Sequence, residues 1–260
     1  MNVTQSDSES YLKKKQFFNQ LLTVYGRKPV LEALEDPATK VYRLHLAESN
    51  RPGGIIADII KLAENKQAEI LYHDRQALSR ISRNSKQDQG VAVDLVCSGY
   101  QDYRDFLNSP ASQHAEIIAL DRITNPQNLG MIIRSVCAGS AKALLLPEKG
   151  CAKLDALVIK ASAGTLFRAP ILRCQNLAQT LAEFRENGSS IYGLSSHAPH
   201  TLGEIPHTGA KVFVLGNETD GVSDEVAREC NQLVSIPMNN GVESLNVAVT
   251  ASLLAFRGQL

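Results

Sequence analysis

From Glu116 onward, short apolar runs alternate with stretches whose apolar residues recur at three- and four-residue steps, and this alternation is what most constrains the fold. Ile117 to Leu120, Ala143 to Leu146, Ala169 to Leu172, Ser190 to Leu194, Lys211 to Leu215 and Leu233 to Ile236 predict strands. Between them, Leu129 to Ser140, Leu154 to Ala163, Leu177 to Glu186 and Asp224 to Cys230 predict helices. Strands separated by helices call for a parallel sheet covered on both faces. Ligands of such sheets bind beyond the carboxyl ends of the strands, so the loops leaving those ends are where chemistry is to be sought.

The last such loop lies in Ser235 to Phe256, S-I-P-M-N-N-G-V-E-S-L-N-V-A-V-T-A-S-L-L-A-F, which reads as a strand, a polar turn and a helix from about Ser244. Leu245, Val249, Leu253 and Phe256 keep helical spacing, and Ala248, Ala251 and Ala255 make much of the other face apolar. Such a helix has to be covered on several sides, by its own domain or by a second subunit. Ser244, Asn246 and Thr250 gather at its start, where unpaired backbone N–H groups take a cap or a ligand.

The first part of the chain is organised differently. Residues 1 to about 15 are polar and end in Lys13, Lys14 and Lys15, and residues 1 to 19 predict a flexible arm. Residues 20 to 98 predict a small α/β domain. Pro29 suits the first turn of a helix ending near Asp36-Pro37, Val41 to Leu46 alternates as a strand, and Ile55 to Asn65 is helical. Glu69 to Tyr72 and Gly90 to Val96 are further strands. Between these two lies a segment with Arg75, Arg80, Arg83 and Lys86 and no acid, a candidate patch for nucleic-acid phosphates or a solvated helix face. Residues 99 to 115 read as a linker with one helical turn near Phe106, and residues 116 to 260 as the second domain.

Whole-chain properties exclude several classes. With 43% apolar and 21% charged residues, disorder is not the main state. The formal net charge is zero, so a nucleic acid would have to be held by a local patch. Cys97, Cys137, Cys151, Cys174 and Cys230 are odd in number and form no C-x-x-C pair, which reads as reduced and structural. No run is long enough to span a bilayer, and the expected location is the cytoplasm. A metal site could rest only on His197, His200 and His207, which lack a nearby acidic ligand set, and no metal is expected.

Two further loops follow strand ends. In Asp121-Arg-Ile-Thr-Asn-Pro-Gln-Asn-Leu-Gly-Met-Ile-Ile-Arg, Asn128 is placed as a helix N-cap and Arg134 follows on the next turn and a half, a pairing suited to a phosphate. In Leu215-Gly-Asn-Glu-Thr-Asp-Gly-Val-Ser, Gly216 and Gly221 let backbone approach a ligand, and the spacing is not the dinucleotide pattern.

The three stretches N-P-Q-N-L-G-M-I-I-R-S, F-V-L-G-N-E-T-D-G-V and I-P-M-N-N-G-V-E-S-L-N-V-A-V, in this order, resemble the three signature motifs of the SpoU (TrmH-type) RNA 2′-O-ribose methyltransferases of the SPOUT superfamily. Ala161-Ser-Ala-Gly-Thr165 also resembles a family segment. Residues 24 to 98 resemble the family's small ribosomal-protein-like substrate-binding domain. The resemblance implies an α/β fold: a C-terminal SPOUT-type parallel-sheet domain with a deep trefoil knot, plus the small N-terminal α/β substrate-binding domain. It implies S-adenosyl-L-methionine as cofactor and a homodimer whose closing helices pack together.

By matching position, Leu215 and Gly216 would approach the cofactor and Ile236, Met238 and Leu245 would enclose its adenosine. Asn128, Arg134, Glu218, Ser244 and Asn246 would form the catalytic group. Arg134 matches an arginine proposed in the family as the activating base. A guanidinium stays protonated at ordinary pH, so phosphate binding and stabilisation of a developing alkoxide suit it better. Asn128, Ser244 and Asn246 would fix loops and ribose, and Glu218 would position the first-motif arginine or the knot loop. The substrate domain departs from the family in reading Gly26-Arg-Lys-Pro-Val30 where an Asn-Ala pair often follows the glycine. The implied partner is RNA, with a large-subunit ribosomal RNA nucleotide preferred over tRNA. A non-catalytic RNA-binding or assembly factor is the alternative from another class.

Overall fold

A computed structural model describes residues 17 to 259. The chain separates into two compact units, and the division falls between Gln101 and Asp102. The arm expected over residues 1 to 19 lies mostly outside the described residues. Its last three residues are helical, and Phe17 packs edge-on against Tyr42 with ring centroids 4.9 Å apart, so this end of the arm is anchored by aromatic contact.

The first unit is built on a four-stranded sheet in the order β1-β4-β2-β3, with β1 Leu21–Tyr25, β2 Val41–Ala47, β3 Glu69–His73 and β4 Val91–Val96. β4 is antiparallel to β1 and β2, while β2 and β3 are parallel. β1 was not foreseen. Its alternation of half-buried and buried residues covers only five positions, too few to stand out ahead of Gly26.

Three helices accompany the sheet: α1 Arg27–Glu35, α2 Ile55–Asn65 and α3 Arg75–Ser82. α1 tolerates Pro29 in its first turn, and α2 buries Ile56, Ile59 and Ala63 at helical spacing. α3 is capped by Asp74, whose carboxylate accepts a 2.8 Å bond from Ala77 N–H.

Residues 99 to 115 contain more structure than a linker. β5 Tyr100–Asp102, α4 Tyr103–Leu107 and a 3₁₀ turn over Pro110–His114 follow one another, and Tyr103 and Phe106 are buried in the core of the second unit. Two aromatic anchors in one turn make this packing favourable, a feature that the surrounding polar residues hid.

The second unit carries an eight-stranded sheet in the order β10-β12-β9-β11-β6-β7-β8-β5. Its members are β6 Glu116–Leu120, β7 Ala143–Pro147, β8 Ile171–Cys174, β9 Ser190–Leu194, β10 His200–Thr201, β11 Lys211–Leu215 and β12 Gln232–Ser235, together with β5. All pairings from β10 through β8 are parallel. β7 and β11 are buried at every position, as continuous apolar strands in a covered parallel sheet require. The α/β expectation for this half therefore holds. The two-residue β10 is too short to leave a periodic signal.

The helices of this unit are α5 Pro126–Ala138, α6 Ala156–Ala161, α7 Leu177–Glu186, α8 Asp224–Ala227 and α9 Val247–Phe256. Two starts differ from expectation. Asn125, not Asn128, caps α5, its side chain accepting from the N–H groups of Gln127 and Asn128, because Pro126 fits the first helical position. α9 begins at Val247, not near Ser244, because Asn246 takes the cap with a 2.8 Å bond from Ala248 N–H.

α5 is clamped from both sides. A Cβ on Gly130 would overlap Ala161 Cβ and come within 2.9 Å of the Ser162 nitrogen, so only glycine lets α5 approach α6 this closely. At the other end Ser140 N–H donates to the Ala255 carbonyl of α9 at 2.7 Å. These clamps fix the helix that carries Asn128.

Candidate active site

A cavity of about 540 Å³ opens at the carboxyl ends of three neighbouring strands, β12, β9 and β11. The last residue of β11, Leu215, and the residues after it through Gly221 line one side; Ile236 and Met238 beyond β12 line another. Leu194 to His197 contribute from the end of β9, and Ser244 to Val247 with Thr250 from the start of α9. This is where an open parallel sheet places a ligand. The walls mix apolar Leu194, Leu215, Ile236, Leu245 and Val247 with the polar groups of Ser195, Ser244, Asn246 and Thr250.

The loop after β11 is shaped by its own backbone. A Cβ on Gly216 would collide with the Gly221 and Val222 backbone, so the glycine serves loop closure first and ligand approach second. Asn217 then turns the chain: its Oδ1 accepts from Thr219 N–H at 2.8 Å, and its amide donates to the Arg122 carbonyl at 3.1 Å. Asp121, at the end of β6, accepts a 2.6 Å bond from Ser223 N–H and holds the far end of the loop. The loop is thereby fixed from both ends.

The first, second and third motif loops meet at Asn128. Its side-chain nitrogen donates to Glu218 Oε1, and its Oδ1 accepts from Asn246 Nδ2 at 3.2 Å. Asn128 is 7% exposed, so both ends of its amide are satisfied inside the protein. Glu218, expected to position the first-motif arginine or the knot loop, is hydrogen-bonded to the first-motif asparagine. Of the ten matched positions, Leu215, Gly216, Glu218, Ile236, Met238, Ser244, Leu245 and Asn246 line the cavity, and Asn128 stands behind it.

Arg134 does not line this cavity. It is exposed on α5, on the same helical face as Met131 and Ser135. Ser135 Oγ lies 2.8 Å from Ser252 Oγ on α9, so this face continues onto the face of α9 that carries Val249 and Leu253. Met131, Val249 and Leu253 are 42%, 48% and 40% exposed. The coverage expected for an all-round apolar α9 is therefore not complete within one chain.

The sequence reading did not assign Leu194, Ser195 or Ser196 to a site, and it weighed His197 only as a metal ligand. Their only signal was the strand-end rule, applied to β9 as well as to β6 and β11. His200 sits in β10 beside Glu204, Nδ1 to Oε2 3.2 Å. Among the described residues no group of three or more His, Cys, Asp and Glu side chains is arranged to hold a metal. Burial pushes the thiols of Cys151, Cys174 and Cys230 up to about 11, 12 and 11, which keeps them protonated and poor nucleophiles at neutral pH. Among the described residues no helix is long and apolar enough to cross a membrane. Arg75, Arg80, Arg83 and Lys86 are all exposed in the first unit, the first two on α3 and the others beyond it.

Comparison with known proteins agrees with this geometry. The chain is 34% identical over 235 residues to an uncharacterized tRNA/rRNA methyltransferase of Mycobacterium sp. (strain KMS), covering 89% of this chain and 74% of the relative. A protein of the same description from Mycolicibacterium smegmatis is 35% identical over equal shares. An AdoMet-bound rRNA methyltransferase from Sinorhizobium meliloti shares the fold with a TM-score of 0.60 at 23% identity, over 97% of this chain and 90% of that one. The SpoU methyltransferase AviRb from Streptomyces viridochromogenes does so with a TM-score of 0.60 at 22% identity, over 97% and 94%. Residues 23–101 match the family model for RNA 2′-O ribose methyltransferase substrate binding. Residues 115–256 match the model of the SpoU rRNA methylase family, and the chain belongs to that family.

Proposed function

We propose that this protein transfers a methyl group from S-adenosyl-L-methionine to a ribose 2′-hydroxyl of RNA, with large-subunit ribosomal RNA preferred over tRNA. The observation that carries the reading is the hydrogen-bonded chain from Glu218 through Asn128 to Asn246 at a strand-end cavity whose walls are Leu215, Gly216, Ile236, Met238 and Leu245. The cavity fits the cofactor. Its volume is that of a small-molecule site, its side walls can shield an adenine ring, and its loop backbone can meet the ring's edge. When bound there, the cofactor supplies an electrophilic methyl on a sulfonium.

The chain's own residues then supply position and electrostatics. A ribose hydroxyl is a weak nucleophile, so holding it in line and favouring its loss of a proton is the main task. Ser244 and Asn246, at the cavity wall, orient the ribose. Asn128 and Glu218 hold Asn246 and the second-motif loop in register. Arg134 binds the adjacent phosphate and stabilises the oxygen as charge develops, with phosphate or water taking the proton.

The position of Arg134 favours a homodimer. It shares one exposed face with Met131, Val249 and Leu253; a second copy seated on that face would bury the apolar groups, and in this reading Arg134 acts at the other copy's cavity. Transfer of labelled methyl to purified ribosomal RNA and tRNA, with the position mapped, tests the reading. The expected product is a ribose label in ribosomal RNA that blocks alkaline cleavage at that nucleotide. Label confined to tRNA refutes the ribosomal preference, label on a base refutes the ribose reaction, and failure to bind the cofactor by calorimetry returns the non-catalytic alternative.

A further inference from the structure

The first unit contains a separate concavity of about 470 Å³, lined by Arg27, Ser49, Asn50, Arg75, Gln89 and Gly90. These residues come from four places in the sequence: the first turn of α1, the turn after β2, the first turn of α3 and the turn before β4. Arg27 is held in a fixed pose. Its Nε donates to the Gln89 carbonyl at 3.3 Å, its Nη2 to Asn50 Oδ1 at 3.2 Å, and its backbone N–H to Gln89 Oε1 at 3.1 Å.

The acceptors are fixed in turn. Asn50 donates its amide to the Gly90 carbonyl at 2.7 Å. Gly90 has φ +78°, and a Cβ there would stand 2.8 Å from Asn50 Oδ1, so glycine is what leaves room for that amide. Gln89 itself is left-handed at φ 51°.

Every acceptor that holds Arg27 is neutral. No carboxylate lines the cavity, and among the described residues neither Arg27 nor Arg75 has an ion pair. Three acids neighbour the lining residues in sequence: Asp74 caps α3, buried Asp88 accepts from Gly90 N–H and from the Ser82 hydroxyl, each at 3.0 Å, and Glu48 is exposed. Two arginines therefore line one concavity, and among the described residues no carboxylate pairs with either. An arginine oriented by neutral acceptors keeps its full charge and its remaining N–H donors for an anion, and its planar fork suits phosphate. The volume is in the range of small-molecule sites and leaves space beyond a phosphate for a sugar or base. Ser49, Asn50 and Gln89 offer hydrogen-bonding groups at that space.

We propose that this cavity binds one nucleotide of the RNA substrate, with its backbone phosphate seated between Arg27 and Arg75. The assignment rests on the reading of RNA as substrate. It also divides the basic segment: Arg75 belongs to the cavity, whereas Arg80, Arg83 and Lys86 are not among its lining residues.

The test is binding of in vitro transcribed large-subunit ribosomal RNA to the full chain as salt is varied, for wild type, Arg27→Gln and Arg75→Gln. Each variant is expected to bind about tenfold more weakly and to flatten the log–log salt slope by about 0.7 to 0.9, the loss of one phosphate contact. Calorimetric binding of S-adenosyl-L-methionine should stay unchanged. Arg75 makes no side-chain hydrogen bond within the described residues that its loss would break, so its variant separates ligand contact from folding.

Unchanged affinity and slope in both variants overturn the site, as does an effect of Arg27→Gln alone, which marks a structural clamp. Inorganic phosphate or uridine monophosphate binding that depends on these arginines, with RNA affinity unaffected, identifies a free-anion site and overturns the RNA assignment. A wild type that methylates RNA while both variants bind it normally removes only this cavity. A wild type that neither binds nor methylates RNA removes the functional reading as well.

Discussion

Asn128 Oδ1 accepts a 3.2 Å hydrogen bond from Asn246 Nδ2, 118 residues further along the chain. The other end of the same amide donates to Glu218. A primary amide offers a donor and an acceptor in one compact group, and neither aspartate nor leucine at this position could serve both partners.

Asn128→Ala is therefore expected to leave Glu218 and Asn246 without their shared partner and to destabilise the second unit by about 1–3 kcal/mol. Asn128→Asp should be at least as damaging, because it places a carboxylate against Glu218. Urea unfolding and methyl-transfer turnover check this together, and wild-type values in both would remove Asn128 from the centre of the site.

Gly216→Ala is expected to displace the loop after β11, since its Cβ has no room beside Gly221 and Val222. Forcing a methyl into such a contact costs about 1–3 kcal/mol and should abolish cofactor binding by calorimetry. Gly221→Ala is a useful contrast. There a Cβ meets nothing within 4 Å, and only its φ of +68° resists substitution, so the expected loss is smaller, about 1 kcal/mol.

Val249→Glu and Leu253→Glu test the exposed α5–α9 face. Both side chains are more than a third exposed in the isolated chain, so the fold should survive while self-association is lost. Sedimentation should then report a folded monomer without methyl transfer. An active monomer would show that this face is not an interface the reaction needs.

Arg134→Lys should lower turnover about 100-fold, because an ammonium cannot reproduce the guanidinium fork at a developing oxyanion. Mixing Arg134→Ala with Gly216→Ala distinguishes the two ways Arg134 could act. If it serves the second copy's cavity, mixed dimers regain activity that neither parent has. If it serves its own, mixing restores nothing.

His73 gives the first unit a pH dependence. Its ring lies 3.0 Å from His45, which faces Asp94 at 3.0 Å on its other side. Burial, and then the charge of His45, lower the His73 pKa below its usual value of 6.5. A base whose folded pKa is depressed leaves stability intact above the unfolded value and costs it as pH falls from that value through the folded one. The melting temperature should accordingly decline from about pH 6.5 downward, and His73→Gln should flatten that decline. An unchanged acid limb in the variant would assign it to other groups.

Elements with a long or sharply bounded pattern were legible before the structure. α2 and α7, and β9 and β11, fall at the residues their periodicity named, because burial of one face or of a whole strand writes itself into consecutive positions. Local competition decided the rest. Asn125-Pro126 outcompeted Asn128 as the start of α5, and Tyr103 and Phe106 drew an apparent linker into the core.

The sequence by itself determined the alternating class of the second unit, the strand-end location of its cavity and eight of the residues that line it. Each is carried by a local pattern or by a motif a few residues long. Only the tertiary structure decided that Asn128 bonds to Glu218 and Asn246, that Arg134 stands outside its own chain's cavity, and that Arg27, Asn50, Arg75 and Gln89 converge. These depend on which segments the sheet order and helix packing bring together. Hydrogen bonds act over about 3 Å in space and leave no trace in the order of residues so far apart along the chain.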